Sequence, residues 1–222
     1  MRIETTRSAN AVRLEHAAGF HASTEHLVDQ LVPLVEQALD RDEPLATTLQ
    51  PDTERALADR LPGRLPSDEV VRLHRPAGGP AGVSAQTLAA RWALELRAMS
   101  VANGRPVTVL NEHASAFDGA DGRFWTELDA ALNIALADLP VRLTCFYPEL
   151  PLHLEILDGA RRNHPLLLSD GELQHNPAHH DPRAVLAARP AAQPPLLGPP
   201  DVRMAFSAWQ LHEVRTTVEK AL

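Results

Sequence analysis

The chain has 222 residues, 44% of them hydrophobic and 23% charged, a composition that suits one globular domain with a sizeable core. A formal charge of −8 repels phosphate backbones and argues against nucleic-acid binding. Cys145 is the only cysteine, so an intrachain disulfide is excluded and a cysteine-based zinc site is not expected, and no run approaches the roughly 18 apolar residues of a membrane span.

The opening residues MRIETTRSAN are polar and lack the apolar centre of a signal peptide, so a cytoplasmic location is expected. Val12–Ala17 reads as a first strand. Ser23 or Thr24 caps a helix to about Asp40, with Leu27, Leu31, Leu34, Val35 and Leu39 on one face and Pro33 as a kink or second start. Pro44–Leu49 is a second strand, Glu54–Leu61 a helix, and Glu69–His74 a third strand before the Gly/Pro loop Pro76–Gly82. Ser84 caps a long helix that Asn103-Gly104 ends, since both residues tolerate a left-handed backbone. Pro106–Asn111 is a fourth strand, Asp121–Ala137 a helix, Val141–Tyr147 a fifth strand, and a short helix starts near Pro151. Strands alternating with helices of this length imply an α/β fold with a mainly parallel sheet flanked by helices.

Beyond Arg162 the texture changes. Residues 164–200 are rich in Pro and His with little periodicity, and an irregular excursion is expected there. Val202–Phe206 then reads as a strand, and residues 207–222 as a closing helix that continues as a connector to another domain. The whole of 1–222 is read as a single domain.

In a parallel sheet, ligands gather at the carboxyl ends of the strands. Those ends carry His16 to His21, Gln50, His74-Arg75, Asn111-Glu112-His113 and Cys145-Phe146-Tyr147. Loop residues that cap helices account for such groups equally well. Eleven histidines invite a metal, but His21 and His26 stand five apart and no H-E-x-x-H pair exists. Only a convergence of His74, Glu112 and His113 would suit zinc or iron, and no metal or cofactor is expected. P-loop and G-x-S-x-G motifs are absent, and Glu127 with Asp129 reads as a solvated helix face. Cys145 on a buried strand reads as a small core residue. With no catalytic set, the chain is not expected to be an enzyme.

Four stretches resemble the MEDS family, a sensory domain named for methanogens and methylotrophs. They are Glu15-His16-Ala17 through Phe20 to Asp42-Glu43-Pro44-Leu45, Gly104-Arg105-Pro106-Val107 to Glu112 with Ala130, Leu132-Asn133 and Ala135, Leu143-Thr144-Cys145-Phe146-Tyr147, and Ala160-Arg161-Arg162-Asn163-His164-Pro165 onward. The resemblance implies a RecA/KaiC-like sandwich without a P-loop and an intracellular sensor of small organic molecules. It further implies an attached or partner effector of the histidine-kinase-like or anti-sigma-factor type, as in actinobacterial members. Leu128-Asp129 stands where many members have His-Glu, and Phe20 and Phe146 also depart from the family pattern, which points to a more apolar pocket.

The expected ligand-binding residues are His16, Phe20, His74, Glu112, His113, Cys145, Tyr147 and His164, with transcriptional signalling as the output and a homodimer as a possible assembly. The competing expectation is a protein-interaction module that has lost ligand binding. An enclosed cavity at the sheet's carboxyl edge separates the two.

Overall fold

The computed structural model describes residues 13–65, 70–74, 84–113, 123–149 and 154–188. Apolar runs too short for helices form strands β1 (Glu15–His21), β2 (Leu45–Thr48), β3 (Val70–Arg72), β4 (Val107–Glu112) and β5 (Val141–Pro148). Between them lie helices α1 (Thr24–Asp40), α2 (Pro51–Arg60), α3 (Ala85–Asn103) and α4 (Arg123–Ala135). After β5 come α5 (Leu154–Asn163), strands β6 (Leu166–Ser169) and β7 (Glu172–His175), and α6 (Pro182–Ala187). The seven strands form one sheet in the order β3-β2-β4-β5-β1-β6-β7. All pairings are parallel except β6 with β7.

The helix starts follow from local chemistry. Ser23 and Ser84 accept hydrogen bonds from the His26 and Thr87 backbone N–H groups, satisfying donors that the first turns of α1 and α3 leave open. Gly104, at φ +64°, ends α3 in the left-handed region, as its sequence position implies. Pro33 neither splits α1 nor restarts it: one helix runs through. The carbonyl that Pro33 leaves without a donor belongs to exposed Asp29, within reach of water.

The sheet's two faces are packed differently. Leu27, Leu31 and Val35 of α1 and Leu57 of α2 cover one face, where Leu110 and Phe146 point. On the other face, α3, α4 and α5 bring Leu88, Trp92, Leu96, Leu132, Ala135 and Ala160 against Val107, Val109, Val141 and Leu143. Side chains alternate along a strand, so the odd positions of β4 and β5 and the even positions of β1 face this second layer.

The expected irregular stretch 164–200 differs through residue 188. Leu166-Leu167-Leu168 adds a parallel strand beside β1, and the chain returns as antiparallel β7. The turn is Asp170-Gly171, both at positive φ (51° and 79°). Asp-Gly is the two-residue turn whose twist matches a hairpin, a signal masked here by the surrounding Pro and His. The expected strand at 202–206 and closing helix at 207–222 lie outside the described residues.

Candidate functional site

Three strands each offer polar side chains to the α4/α5 face. His16 comes from β1, Cys145 and Tyr147 from β5, and Asn111 from β4, with His113 just beyond it. Register makes them neighbours, because Asn111 pairs with Cys145 and Ala18 with Cys145, leaving His16 one step back on the same face. Asp129 and Asn133 lie one turn apart on α4 and project toward the sheet, and His164 follows α5. His16, Cys145, Tyr147 and His164 are fully buried, and Asp129 and His113 are 1% exposed. Polar groups are costly at such depth unless paired, so their concentration on one face is the distinguishing feature of this domain.

The pairing resolves the protonation of two rings. Asn133 Nδ2 donates to the Asp129 and Asn163 carbonyl oxygens, which turns its Oδ1 toward His16 Nδ1 at 3.0 Å. His16 Nδ1 therefore carries the proton, and its Nε2 lone pair faces Cys145 Sγ at 3.5 Å. His164 Nδ1 donates to the Ala160 carbonyl oxygen at 2.7 Å, and its Nε2 has no hydrogen-bond partner. The two imidazoles lie 4.1 Å apart. Asn111 Nδ2 donates to Cys145 Sγ at 3.2 Å, and Tyr147 donates to Asp129 Oδ2 at 2.6 Å while Asp129 Oδ1 remains without a hydrogen bond. Tyr147 stacks on His113, centroids 4.1 Å apart, and Trp125 meets His113 edge-on.

Burial sets the charge state. It lowers His16 to about 4 against the Asn133 hydrogen bond, and it holds His164 well below the usual imidazole value, reinforced by His16. Burial likewise raises Asp129 to about 8, opposed only by the Tyr147 hydrogen bond. The Cys145 thiol is pushed up by burial and then by Asp129, and Tyr147 by burial, Asp129 and Cys145. Near neutral pH these five groups are thus predominantly uncharged, with a protonated thiol that is a poor nucleophile.

Of the expected site residues, His16, His113, Cys145, Tyr147 and His164 come together. Phe20 borders them, its ring 5.9 Å from Tyr147 and beneath the Arg161 guanidinium. Glu112 points to the opposite face, where it accepts hydrogen bonds from the Gln50 N–H at 2.7 Å and the Thr53 hydroxyl at 3.1 Å. His74 lies after edge strand β3, its carbonyl oxygen accepting from Trp92 Nε1. The triplet His74, Glu112 and His113 therefore does not converge.

Asp129 is a correction: it is buried in the cluster, not on a solvated face. Asn111 and Asn133 also belong to the cluster. The available signal was Asp129 and Asn133 standing four apart within the apolar stripe Leu128, Ala131, Leu132 and Ala135.

No helix among the described residues is long and apolar enough to cross a membrane. No curated protein matches the chain. The family profile described as "MEthanogen/methylotroph, DcmR Sensory domain" matches residues 15–165. That span opens on the first residue of β1 and closes one residue past His164, so it contains the whole buried cluster and leaves the β6–β7 hairpin outside. Since the match covers well over half of the chain, this protein belongs to the MEDS family of sensory domains.

Proposed function

We propose that the domain is the input module of a signalling system, responding to a small organic molecule at the buried cluster and passing the response to a kinase-like or anti-sigma-type effector, attached or separate. The observation that supports this reading is the cluster itself: His16, His113, Asp129, Tyr147 and His164 offer donors and acceptors at a depth where an ordinary core has none. The uncharged His16 and His164 imidazoles, a protonated thiol and a largely protonated carboxyl suit a short alcohol, aldehyde or acid better than a phosphorylated ligand. Catalysis is not part of the proposal, since the one thiol is held protonated.

A ligand shifts a two-state equilibrium only by its differential affinity, and such couplings are typically about 1–3 kcal/mol. Helices α4 and α5 cover the cluster and are the elements through which the response passes. The test is a thermal-shift panel of short alcohols, aldehydes and carboxylic acids, followed by hydrogen exchange. Concentration-dependent stabilisation with slowed exchange in α4 and α5 is expected. Absence of stabilisation across the whole panel overturns the small-organic-ligand reading.

A further inference from the structure

Four potential ligand atoms, one each from His16, Asp129, Cys145 and His164, lie within 4.8 Å of one another, and all four residues are buried. We propose that they form a binding site for one divalent transition-metal ion of borderline softness, zinc or ferrous iron. The site shares its residues with the small-molecule reading above, but its argument does not rest on that reading.

Three observations carry it. The first is orientation. Both histidines have their Nδ1 protons fixed on oxygen acceptors, Asn133 Oδ1 and the Ala160 carbonyl, so each presents an Nε2 lone pair to the cluster. Tyr147 holds Asp129 Oδ2 and leaves Oδ1 without a hydrogen bond, and Asn111 donates to the sulfur. Each candidate ligand thus has an outer partner on an atom or lone pair separate from the one it offers, the arrangement that orients ligands in metal sites.

The second is unmet bonding capacity. Asp129 Oδ1 and His164 Nε2 are buried polar atoms with no hydrogen bond, and a shared cation satisfies both once the carboxyl has given up its proton.

The third is size and charge. Zinc bonds of about 2.1 Å to nitrogen and 2.3 Å to sulfur imply a tetrahedral N···S edge of about 3.6 Å. The His16 Nε2–Cys145 Sγ separation is 3.5 Å. Closing the widest separation to such an edge requires about 1 Å of side-chain movement. The thiol and carboxyl each give a proton to solvent on binding. A thiolate, a carboxylate, two neutral imidazoles and a divalent ion then sum to zero, which suits a buried site. The mixed nitrogen, sulfur and oxygen set disfavours magnesium and calcium, which prefer oxygen alone.

The test uses the full chain, freed of metal by a chelator and titrated with cobalt(II) as the spectroscopic probe for a tetrahedral site. One equivalent is expected to produce visible ligand-field bands of tetrahedral intensity and a near-ultraviolet thiolate-to-cobalt band, both discharged by zinc. In Cys145→Ser the thiolate band disappears. Asn133→Ala, which frees the His16 ring without removing a ligand, lowers affinity about 10–100-fold. His26→Ala, on an exposed turn of α1, leaves the spectrum unchanged. Circular dichroism identifies variants that fold. Should Cys145→Ser fail to fold, the unsubstituted chain decides alone: binding without a thiolate band, or no binding, overturns the proposal.

Discussion

Gly159 sits where α5 crosses α4, and a methyl group built on it stands 2.5 Å from Thr126 Oγ1. Ordinary contact begins near 3.4 Å, so Gly159→Ala forces the helices or the Thr126 rotamer to give by about 1 Å. Overpacking of this kind costs about 1–3 kcal/mol, whereas replacing a mid-helix glycine with alanine gains about 1 kcal/mol in propensity. The net expectation in the native background is a loss of about 0–2 kcal/mol, which alone is a weak test. Thr126→Ala sharpens it, because deleting the obstructing oxygen leaves only the propensity gain. Gly159→Ala should then stabilise the Thr126→Ala chain by about 1 kcal/mol, roughly 2–4 °C in Tm. Denaturant unfolding of the four chains of this cycle gives the coupling directly, expected at about 1–3 kcal/mol. A coupling below about 0.5 kcal/mol refutes the claim that this glycine exists to let α4 and α5 approach.

Tyr147→Phe removes the hydrogen bond that Asp129 Oδ2 accepts in a fully buried setting and should cost about 1–3 kcal/mol in urea unfolding, with no loss when Asp129 is already Leu. Glu112→Ala strips the N-terminus of α2 of the carboxylate that caps the Gln50 N–H and receives the Thr53 hydroxyl; a destabilisation of about 2 kcal/mol is expected, and a change under 0.5 kcal/mol contradicts the capping role. In metal-free protein, pH acts through two opposed sets of groups. His16 and His164, lowered on folding, contribute stability that is present above 6.5 and lost as pH falls through about 4 for His16. Asp129, raised to about 8, contributes stability that is full below its ordinary value of 3.8 and is lost as pH rises through about 8. Urea midpoints should therefore rise toward pH 6.5 and fall from there to pH 8, the fall being no more than about 1.4 kcal/mol per pH unit, and Asp129→Asn should abolish the fall. A continued rise to pH 8 in the unsubstituted chain contradicts the buried, protonated carboxyl.

The layered fold was readable from the chain because each of β1, β2, β4 and β5 is an apolar run followed by a helix with a one-sided stripe. The Ser23 and Ser84 caps and the Gly104 stop lie where local chemistry puts them. Half of the site was readable as well. His16, His113, Cys145, Tyr147 and His164 could be placed at strand and helix ends, but their convergence depends on strand order. Nothing in the spacing reveals that β1 lies between β5 and β6. Glu112 and His113 are neighbours in sequence yet serve opposite faces, a parity that only the register fixes. Asp129 was hidden because a single carboxylate on a helix is usually solvated, and the packing that buries it comes from distant β5 and α5. The hairpin was hidden because its β7 strand is wholly exposed and carries no apolar alternation.

His16 meets Asn133 across 117 residues of chain and Cys145 across 129, so the cluster joins the first strand to elements formed much later along the polypeptide. Loop closure over such spans carries an entropic cost before any contact forms. Anything bound to it acts as a reversible cross-link between the first strand and elements more than a hundred residues further along. At a concentration 100 times Kd, an occupant specific to the folded state adds about 2.7 kcal/mol to global stability. For this domain, then, any occupant that prefers the folded state is linked to global stability, and unfolding experiments read its binding.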